Sequence, residues 1–268
     1  MITEEDRFEA GAPAYAAYLQ STEGKLRLDL AWDNLRAILQ KTNSEGTKRA
    51  LDVGGGTGAM AVRLAAEGWQ VAVVDASGSM LALAAEAARR SEVSARMTFH
   101  QADAATITEL FAPHSFDLVI CHNVIEYVAD PSAVIRTMRI VARPTGLISI
   151  LARNRAGEAM RAALKSHDFS AAEHALTADY VRESLYGGPA RLFDPLMLRA
   201  LAAEALLDVI AERGVRVLAD YLPASLLESA EGYERLRVFE NRLGTRADFA
   251  AVARYTQIIA KVPDNSAR

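Results

Sequence analysis

Three aspartates that follow apolar segments are the residues whose type and spacing point most directly to chemistry. Asp52 and Asp75 each end an apolar run, and Asp103 directly follows a third. In an open parallel sheet the carboxyl ends of the strands meet at one edge, where ligands bind. A carboxylate there accepts hydrogen bonds from ribose hydroxyls or from the amine of an adenine. Asp103 alone would be interpreted as a helix N-cap, but the set of three predicts a nucleotide-like ligand.

A glycine-rich turn begins two residues after the first of these acids, with glycines at positions 54, 56 and 58. Without Cβ atoms this backbone can adopt positive φ and lie close against a ligand. The spacing Gly54-x-Gly56-x-x-Ala59 also fits the fingerprint of NAD-binding enzymes. The turn therefore supports a nucleotide site but leaves the class of cofactor open.

Strands that alternate with helices are needed to bring these residues to one edge. Alanine- and leucine-rich helical segments separate five apolar runs, at 49–53, 69–75, 97–103, 116–121 and 146–152. This alternation is typical of a parallel, doubly wound sheet, and it predicts a Rossmann-like fold of the α/β class.

The rest of the chain is expected to cap and cover that sheet within a single domain. We expect an N-terminal helical cap at 1–47, a cofactor-binding core at 48–152, a lid at 153–195 and the last two strands at 196–268. Within these parts, the sequence predicts a helix break near Ser21 and a helix from Phe193 to Glu212. It predicts the sixth strand at Val215–Leu218 and the seventh at Tyr255–Val262.

Composition argues against several other classes of protein. The 268 residues are 51% hydrophobic and 24% charged, which is ordinary for a globular protein. The acidic start and the lack of a long apolar run argue against a signal peptide or a membrane span, so we expect a cytoplasmic protein. Cys121 is the single cysteine and the histidines lack paired spacing, so no metal is expected. A formal net charge of −4 gives no basic footprint for nucleic acid.

Taken together, the motifs resemble those of the class I S-adenosylmethionine-dependent methyltransferases. The matching segments are Leu51-Asp52-x-Gly54-x-Gly56-x-Gly58, Asp75, Gln101-Ala102-Asp103-Ala104 and Phe116-Asp117-Leu118-Val119. The resemblance covers residues 48–152. It implies S-adenosylmethionine as the cofactor and a seven-stranded mixed sheet in which the seventh strand is antiparallel.

The same resemblance implies which residues contact the cofactor. It assigns the methionine moiety to the glycine turn and its acid, the ribose to the end of the second strand, and the adenine to the end of the third. The residues concerned are Asp52, Gly54 and Gly56, then Asp75 with Ala76, then Asp103 with Ala104.

A narrower resemblance, to the tRNA 5-carboxymethoxyuridine methyltransferase group, extends over nearly the whole chain. The matching segments are 24–27, 126–131, Asn154, 214–217 and 220–222. The likeness departs between Arg155 and Pro195, in the predicted lid. It implies that the methyl group goes to a carboxylate on a wobble uridine of tRNA.

Three further side chains become candidates through that likeness. Arg27 is expected to pair with the cofactor carboxylate, because a guanidinium binds carboxylates bidentately; the alternative is a solvated charge on a helix. His122 follows the fourth strand and is expected to face the substrate, or else to be a structural imidazole. Arg216, on the predicted sixth strand, is the first choice to hold the acceptor carboxylate. Other candidates for that role are Arg153, Arg155 and Arg191.

Other functions stay open at this level. The acceptor is either tRNA or a small metabolite. An NAD-dependent oxidoreductase is disfavoured, because no Tyr-x-x-x-Lys pair occurs and Asp52 directly before the glycines is unusual for that class. A non-catalytic protein that retains the cofactor fold is the remaining alternative.

Overall fold

A mixed sheet of seven strands forms the centre of the computed structural model. The structure describes residues 4–41, 47–183, 185, 187–227 and 229–264. Parts of the predicted cap (1–3 and 42–46), lid (184 and 186) and last segment (228 and 265–268) lie outside these residues. The strands of the sheet are β1 Arg49–Val53, β2 Gln70–Asp75, β3 Met97–Gln101, β4 Phe116–His122, β5 Ala142–Arg153, β8 Asp208–Val215 and β9 Tyr255–Lys261. A separate hairpin contains β6 Tyr180–Arg182 and β7 Pro189–Arg191.

The order of strands across the sheet is β3-β2-β1-β4-β5-β9-β8. The first five strands pair in parallel, and β9 is antiparallel to both β5 and β8. The predicted Rossmann-like class, with an antiparallel seventh strand, is confirmed. The order reverses between β1 and β4, so a crevice opens at the carboxyl ends of these two strands.

Helices cover both faces of the sheet and form the N-terminal cap. They are α1 Glu4–Gln20, α2 Thr22–Leu39, α3 Ala59–Ala66, α4 Gly78–Arg90, α5 Ile107–Leu110, α6 Pro131–Val141, α7 Arg155–Leu164, α8 Phe169–Thr177, α9 Pro195–Glu204, α10 Ala230–Gly244 and α11 Ala247–Ala250. The predicted break near Ser21 is confirmed, because the Ser21 hydroxyl accepts a hydrogen bond from Gly24 N and caps α2. Within the described residues, no helix is long and apolar enough to cross a membrane.

The core lies on both faces of the sheet because buried side chains alternate along its strands. In β4, for example, Leu118 and Ile120 belong to the cluster on one face, and Val119 and Cys121 to the cluster on the other. All four side chains are fully buried. Strands that are buried on both sides hold the loops at their carboxyl ends in fixed positions.

The predicted position of the sixth strand is wrong, and so is the predicted length of the helix before it. Instead of a helix over 193–212, α9 ends at Glu204 and β8 begins at Asp208. The chain leaves the sheet after β8, and residues 216–218 form no strand. The backbone N–H groups of residues 217, 218 and 219 donate instead to the carboxylate of Glu240 on α10. Because a side chain takes these donors, they are not available to pair with a neighbouring strand.

Candidate active site

A cavity of about 520 Å³ opens at the carboxyl edge of the sheet. Its volume lies within the range typical of small-molecule sites. Six of the residues predicted to bind the cofactor line this cavity: Gly54, Gly56, Asp75, Ala76, Asp103 and Ala104. The structure therefore brings together residues that are up to 50 positions apart in the sequence.

The glycine turn is held against the end of β2. The N–H groups of Gly54 and Gly55 donate to the carbonyl oxygen of Val74 at 2.7 and 3.1 Å. Gly54 and Gly56 have φ angles of 64° and 54°, which favour glycine. A Cβ atom at Gly54 would also overlap the side chain of Val124. Glycine is therefore required at position 54 by both backbone conformation and packing.

Asp75 joins this turn to the start of α4. Its Oδ2 accepts a hydrogen bond from Gly56 N at 2.8 Å, and its Oδ1 accepts one from Ser77 N at 2.9 Å. Burial raises the pKa of Asp75, although these two N–H groups favour the carboxylate. Each carboxylate oxygen has a second lone pair, so Asp75 can stabilise the loop and still accept a hydrogen bond from a ligand hydroxyl.

Asp103 lies at the rim of the cavity and caps a short 3₁₀ turn at 104–106. Its Oδ1 accepts a hydrogen bond from Ala105 N at 2.7 Å. On the same side of the cavity, Gln101 Nε2 donates to the carbonyl oxygen of Ala76 at 3.0 Å. The N-cap interpretation of Asp103 is thus compatible with its place on the cavity wall.

Asp52 lies deeper, beside a second, small cavity of about 30 Å³ next to the glycine turn. The side chain is buried, and burial together with the negative charge of Asp75 raises its pKa to about 7. Arg27 and His122 line the same small cavity, and His122 also lines the larger one. Asp52 and Arg27 therefore face a different part of the site from Asp75 and Asp103, and Gly54 lines both cavities.

Arg27 is 4% exposed, which rules out the interpretation as a solvated charge. Its Nη1 donates to Asn123 Oδ1 at 2.6 Å, and its Nη2 donates to the Tyr15 hydroxyl at 2.9 Å. Its guanidinium carbon also lies 5.1 to 5.8 Å from the ring centroids of Tyr15, Tyr18 and Tyr255. The charge is thus held by neutral and aromatic partners.

His122 makes a hydrogen bond from Nε2 to the Ser149 hydroxyl at 2.8 Å. Burial and the nearby charge of Arg27 lower the pKa of His122 to about 3. The imidazole is therefore neutral at physiological pH and is a weak base. The prediction that His122 faces the substrate and takes part in catalysis stays a prediction.

A third pocket, of about 340 Å³, shares Tyr15, Asn123 and Tyr127 with the cavity of about 520 Å³. We call it the arginine pocket, because four buried or nearly buried arginines line it: Arg27, Arg153, Arg216 and Arg254. Three buried acids also line it: Glu158, Glu183 and Asp220. The buried charges do not balance, and the excess is positive.

Arg216 reaches this pocket from a loop rather than from a strand. It directly follows β8, and its φ of 61° ends the strand, so the predicted position on a strand between valines is wrong. Its side chain nevertheless forms an ion pair with Asp220 and donates from Nη1 to the Tyr18 hydroxyl at 3.0 Å.

The other arginines proposed from the sequence divide into two groups. Arg153 lines the arginine pocket, whereas Arg155 and Arg191 do not. Arg155 Nη2 lies 3.6 Å from the carboxylate of Asp179, and Arg191 lies 4.9 Å from the ring centroid of Tyr180. Two of the four candidates are therefore near a possible acceptor.

The residues at this site that sequence reasoning missed include Asn123, Glu158, Arg254 and Tyr255. Asn123 follows β4 directly and has a φ of 57°, a conformation in which asparagine is enriched. Its position at the end of an apolar run was therefore a usable signal. In the part of the chain that the structure describes, no cluster of three or more His, Cys, Asp or Glu residues could hold a metal ion.

Comparison with known proteins identifies relatives over both the core and the whole chain. Residues 51–150 match the family described as a methyltransferase domain. The chain is 31% identical over 253 residues to the tRNA 5-carboxymethoxyuridine methyltransferase of Escherichia coli K12, with 91% of each chain covered. It is 34% identical over 121 residues to the ubiquinone biosynthesis O-methyltransferase of Vibrio cholerae, with 45% of this chain and 48% of the relative covered.

Solved structures give the same fold. A methyltransferase in complex with the Haloferax volcanii Trm112 activator has a TM-score of 0.61 at 17% identity, over 97% of this chain and 98% of that one. Phosphoethanolamine N-methyltransferase 2 of Haemonchus contortus, bound to S-adenosylhomocysteine, has a TM-score of 0.63 at 20% identity, over 98% and 61%. The chain therefore belongs to the class I S-adenosylmethionine-dependent methyltransferases, in the family that includes the E. coli tRNA 5-carboxymethoxyuridine methyltransferase, and it uses S-adenosylmethionine as methyl donor.

Proposed function

We propose that this methyltransferase esterifies the carboxylate of 5-carboxymethoxyuridine in tRNA, in the cytoplasm. The observation that supports it best is the arginine pocket beside the cavity of about 520 Å³. An excess of buried positive charge fits an anionic acceptor, because a buried charge requires a partner. The similarity to the E. coli tRNA methyltransferase, over 91% of both chains, supports the same acceptor.

The residues at the glycine turn fit S-adenosylmethionine, which supplies an electrophilic methyl group when it is bound. The cavity of about 520 Å³ combines a glycine backbone at positive φ with the carboxylate of Asp75. We assign Asp75 and Ala76 to the ribose, and Asp103 and Ala104 to the adenine. The methionine moiety is assigned to the wall formed by Gly54 and Gly56, with its carboxylate end towards the small cavity that Asp52 and Arg27 line.

The acceptor carboxylate needs orientation more than activation. A carboxylate is ionised at neutral pH and is already a nucleophile, so its alignment and the exclusion of water are the main contributions of the protein. This explains how a site whose histidine is neutral and weakly basic can work. We therefore assign His122 to the wall of the site, where it orients groups through contact rather than accepting a proton.

Arg216 is the arginine that we assign to the acceptor carboxylate. Its ion pair with Asp220 and its hydrogen bond to Tyr18 hold the guanidinium in one orientation before the acceptor binds. A fixed guanidinium presents two parallel N–H donors to a carboxylate, and lysine cannot reproduce that geometry. Arg254 and Arg153 stand on the same pocket wall and add to the positive potential.

The outer part of the pocket is suited to a nucleic acid. Arg161, Lys165 and Arg182, which belong to the predicted lid at 153–195, line it. Lysine and arginine side chains of this kind bind phosphates and fix the position of a nucleic acid without reading its sequence. We assign the lid to contacts with the anticodon region of the tRNA.

The experiment compares three acceptors with labelled S-adenosylmethionine. They are tRNA with the carboxymethoxy group, the same tRNA without it, and a tRNA-free metabolite extract. We expect label only in the first, with a rate that falls steeply as salt increases. Label in a small molecule with tRNA inert would replace tRNA as the acceptor and leave the methyltransferase class intact.

Variants test the role of the arginine pocket. Arg216→Ala should lower kcat/KM for tRNA by about tenfold or more and leave the dissociation constant of S-adenosylhomocysteine unchanged, because the lost contact is with the acceptor. Arg216→Lys should recover part of the loss. Arg155→Ala is the matched control, because Arg155 is a nearby arginine that does not line the pocket. Equal turnover by Arg216→Ala and the control would remove Arg216 from the site.

A further inference from the structure

Arg27 differs from the other arginines of the arginine pocket in its partners. Arg153 lies 3.4 Å from Glu158 and 3.6 Å from Glu183, and Arg254 also contacts Glu158. Arg216 pairs with Asp220. Arg27, by contrast, has no acid within ion-pair distance among the residues that the structure describes. Its Nε atom is buried and has no hydrogen-bond partner there, a feature that it shares with Arg153 and Arg216.

Asn123 is the residue that stands where a counter-ion of Arg27 would be expected. Its Oδ1 accepts from Arg27 Nη1 at 2.6 Å, and its Nδ2 donates to Glu126 Oε1 at 3.1 Å. Its backbone N–H donates to the carbonyl oxygen of Leu151 at 2.7 Å. Both ends of the amide and the backbone are thus fixed, so the side chain cannot turn away from Arg27.

The position of Asn123 connects the three cavities. Asn123 lines the small cavity next to Asp52, the cavity of about 520 Å³ and the arginine pocket. Arg27 lines two of them, the small cavity and the arginine pocket. A ligand carboxylate in either of these two can therefore approach the guanidinium.

An amide and a carboxylate have nearly the same shape but differ in charge. Aspartate at this position would supply Arg27 with the acid that each of the other pocket arginines already has. A buried cation without a carboxylate partner attracts an anion strongly, because little water screens it, as long as the phenol of the neighbouring Tyr255 is protonated. The low pKa of His122 agrees with such a charge, because Arg27 is one cause of the shift, after burial.

We infer that Asn123 is a positioning and specificity-determining residue, which orients Arg27 without neutralising it and thereby reserves the guanidinium for the carboxylate of a ligand. Both substrates of the proposed reaction contain a carboxylate, one on the methionine moiety of the cofactor and one on the acceptor. The inference rests on the proposed function only for the second of these sources. Binding of S-adenosylhomocysteine tests the first source without any acceptor.

The test compares Asn123→Asp with Asn123→Gly. Glycine tolerates the positive φ and removes the amide without adding charge, so it measures the loss of orientation alone. Aspartate also tolerates this conformation and adds the missing acid. Calorimetry gives the dissociation constant of S-adenosylhomocysteine, and initial rates give KM for tRNA at saturating S-adenosylmethionine.

We expect Asn123→Asp to raise one of these two constants at least tenfold, and at least threefold more than Asn123→Gly does. A rise in the dissociation constant identifies the cofactor carboxylate as the partner of Arg27, and a rise in KM alone identifies the acceptor carboxylate. Equal effects of the two variants, or no effect of aspartate on either constant, would overturn the inference, because charge at position 123 would then be irrelevant.

A double variant covers the case in which Asn123→Asp does not fold. Aspartate would face the carboxylate of Glu126, which now accepts the hydrogen bond from the Asn123 amide. Asn123→Asp combined with Glu126→Gln removes that repulsion and keeps the number of carboxylates constant. Thermal unfolding without ligand verifies the fold of each variant. The double variant should show the same tenfold loss relative to Glu126→Gln alone, and binding equal to that of Glu126→Gln would overturn the inference.

Discussion

Asp52 offers a test of the site that needs no substrate. Its pKa of about 7 in the folded protein is well above the usual 3.8, because the carboxyl is buried and lies near the charge of Asp75. Between these two pH values the folded state binds more protons than the unfolded state. The contribution of Asp52 to stability is therefore fully present below about pH 4 and is lost as the pH rises through 7.

The size of this effect follows from the pKa. Each pH unit within the window corresponds to about 1.4 kcal/mol. Between pH 5 and pH 7, the proton that the folded state retains on Asp52 and the unfolded state has lost should therefore lower the free energy of unfolding by about 2 kcal/mol. The amide of an asparagine at this position has no proton to lose, so the variant Asp52→Asn should lack this part of the pH dependence.

Urea unfolding of the ligand-free protein at pH 5, 6, 7 and 8 measures the effect. The quantity of interest is the difference in free energy of unfolding between the wild type and Asp52→Asn at each pH. That difference should move in favour of the variant as the pH rises. A flat difference for Asp52→Asn would refute the reasoning, because Asp52 would then be ionised throughout.

Three further predictions concern the turn and the arginine pocket. Gly54→Ala should weaken binding of S-adenosylhomocysteine at least about tenfold by calorimetry, because the added Cβ overlaps the side chain of Val124. The control Gly68→Ala, also at positive φ but in open space, should bind S-adenosylhomocysteine normally. Equal losses of binding in the two variants would exclude the packing argument. Burial disfavours the phenolate of Tyr255, but the surrounding arginines outweigh it and lower the pKa to about 7. The kcat/KM for an anionic acceptor should therefore fall above pH 7 in the wild type and stay flat in Tyr255→Phe; parallel pH profiles would contradict this. Burial likewise disfavours the carboxylate of Glu158, but the charges of Arg254 and Arg153 lower the pKa of Glu158 to about 2. Glu158→Gln should destabilise the protein by about 3–5 kcal/mol at pH 7, a difference that disappears as the pH falls from 4.5 to 2, and a pH-independent loss would count against the ion pairs.

Strands β1, β2, β4 and β5 were predictable because most of their side chains are buried. A strand such as β2 is an unbroken apolar run that ends at an acid, and that pattern is visible in the sequence without any knowledge of its neighbours. Among the described strands, the edge strand β8 pairs with β9 alone, and most of its first six positions are exposed or half-buried, including Asp208 and Glu212. Its polar residues resembled the end of a helix, so the strand was predicted in the more apolar segment that follows.

The cofactor half of the site was predictable for a related reason. Asp75 and the glycine turn lie at strand ends, so the order of the sequence places them at one edge once the sheet is known. The arginine pocket has no such rule. Its charged residues come from α2, β5, α7 and the segments that flank β8 and β9, and the hydrogen bond between Arg27 and Asn123 joins residues 96 positions apart.

The proposed role of Arg27 depends on the lack of an acid partner among the described residues. A sequence motif cannot reveal such a feature. A motif records residues that are present, whereas the proposed role of Arg27 follows from the acid that it lacks among the described residues. Its neighbours in the pocket carry the same side chain, but each already has an acid partner, Glu158 or Asp220, that a ligand would have to share. Only a count of counter-ions in three dimensions shows which arginine of the pocket has no such partner. The variant Asn123→Asp changes that count by a single charge at nearly constant shape, so it tests the distinction directly.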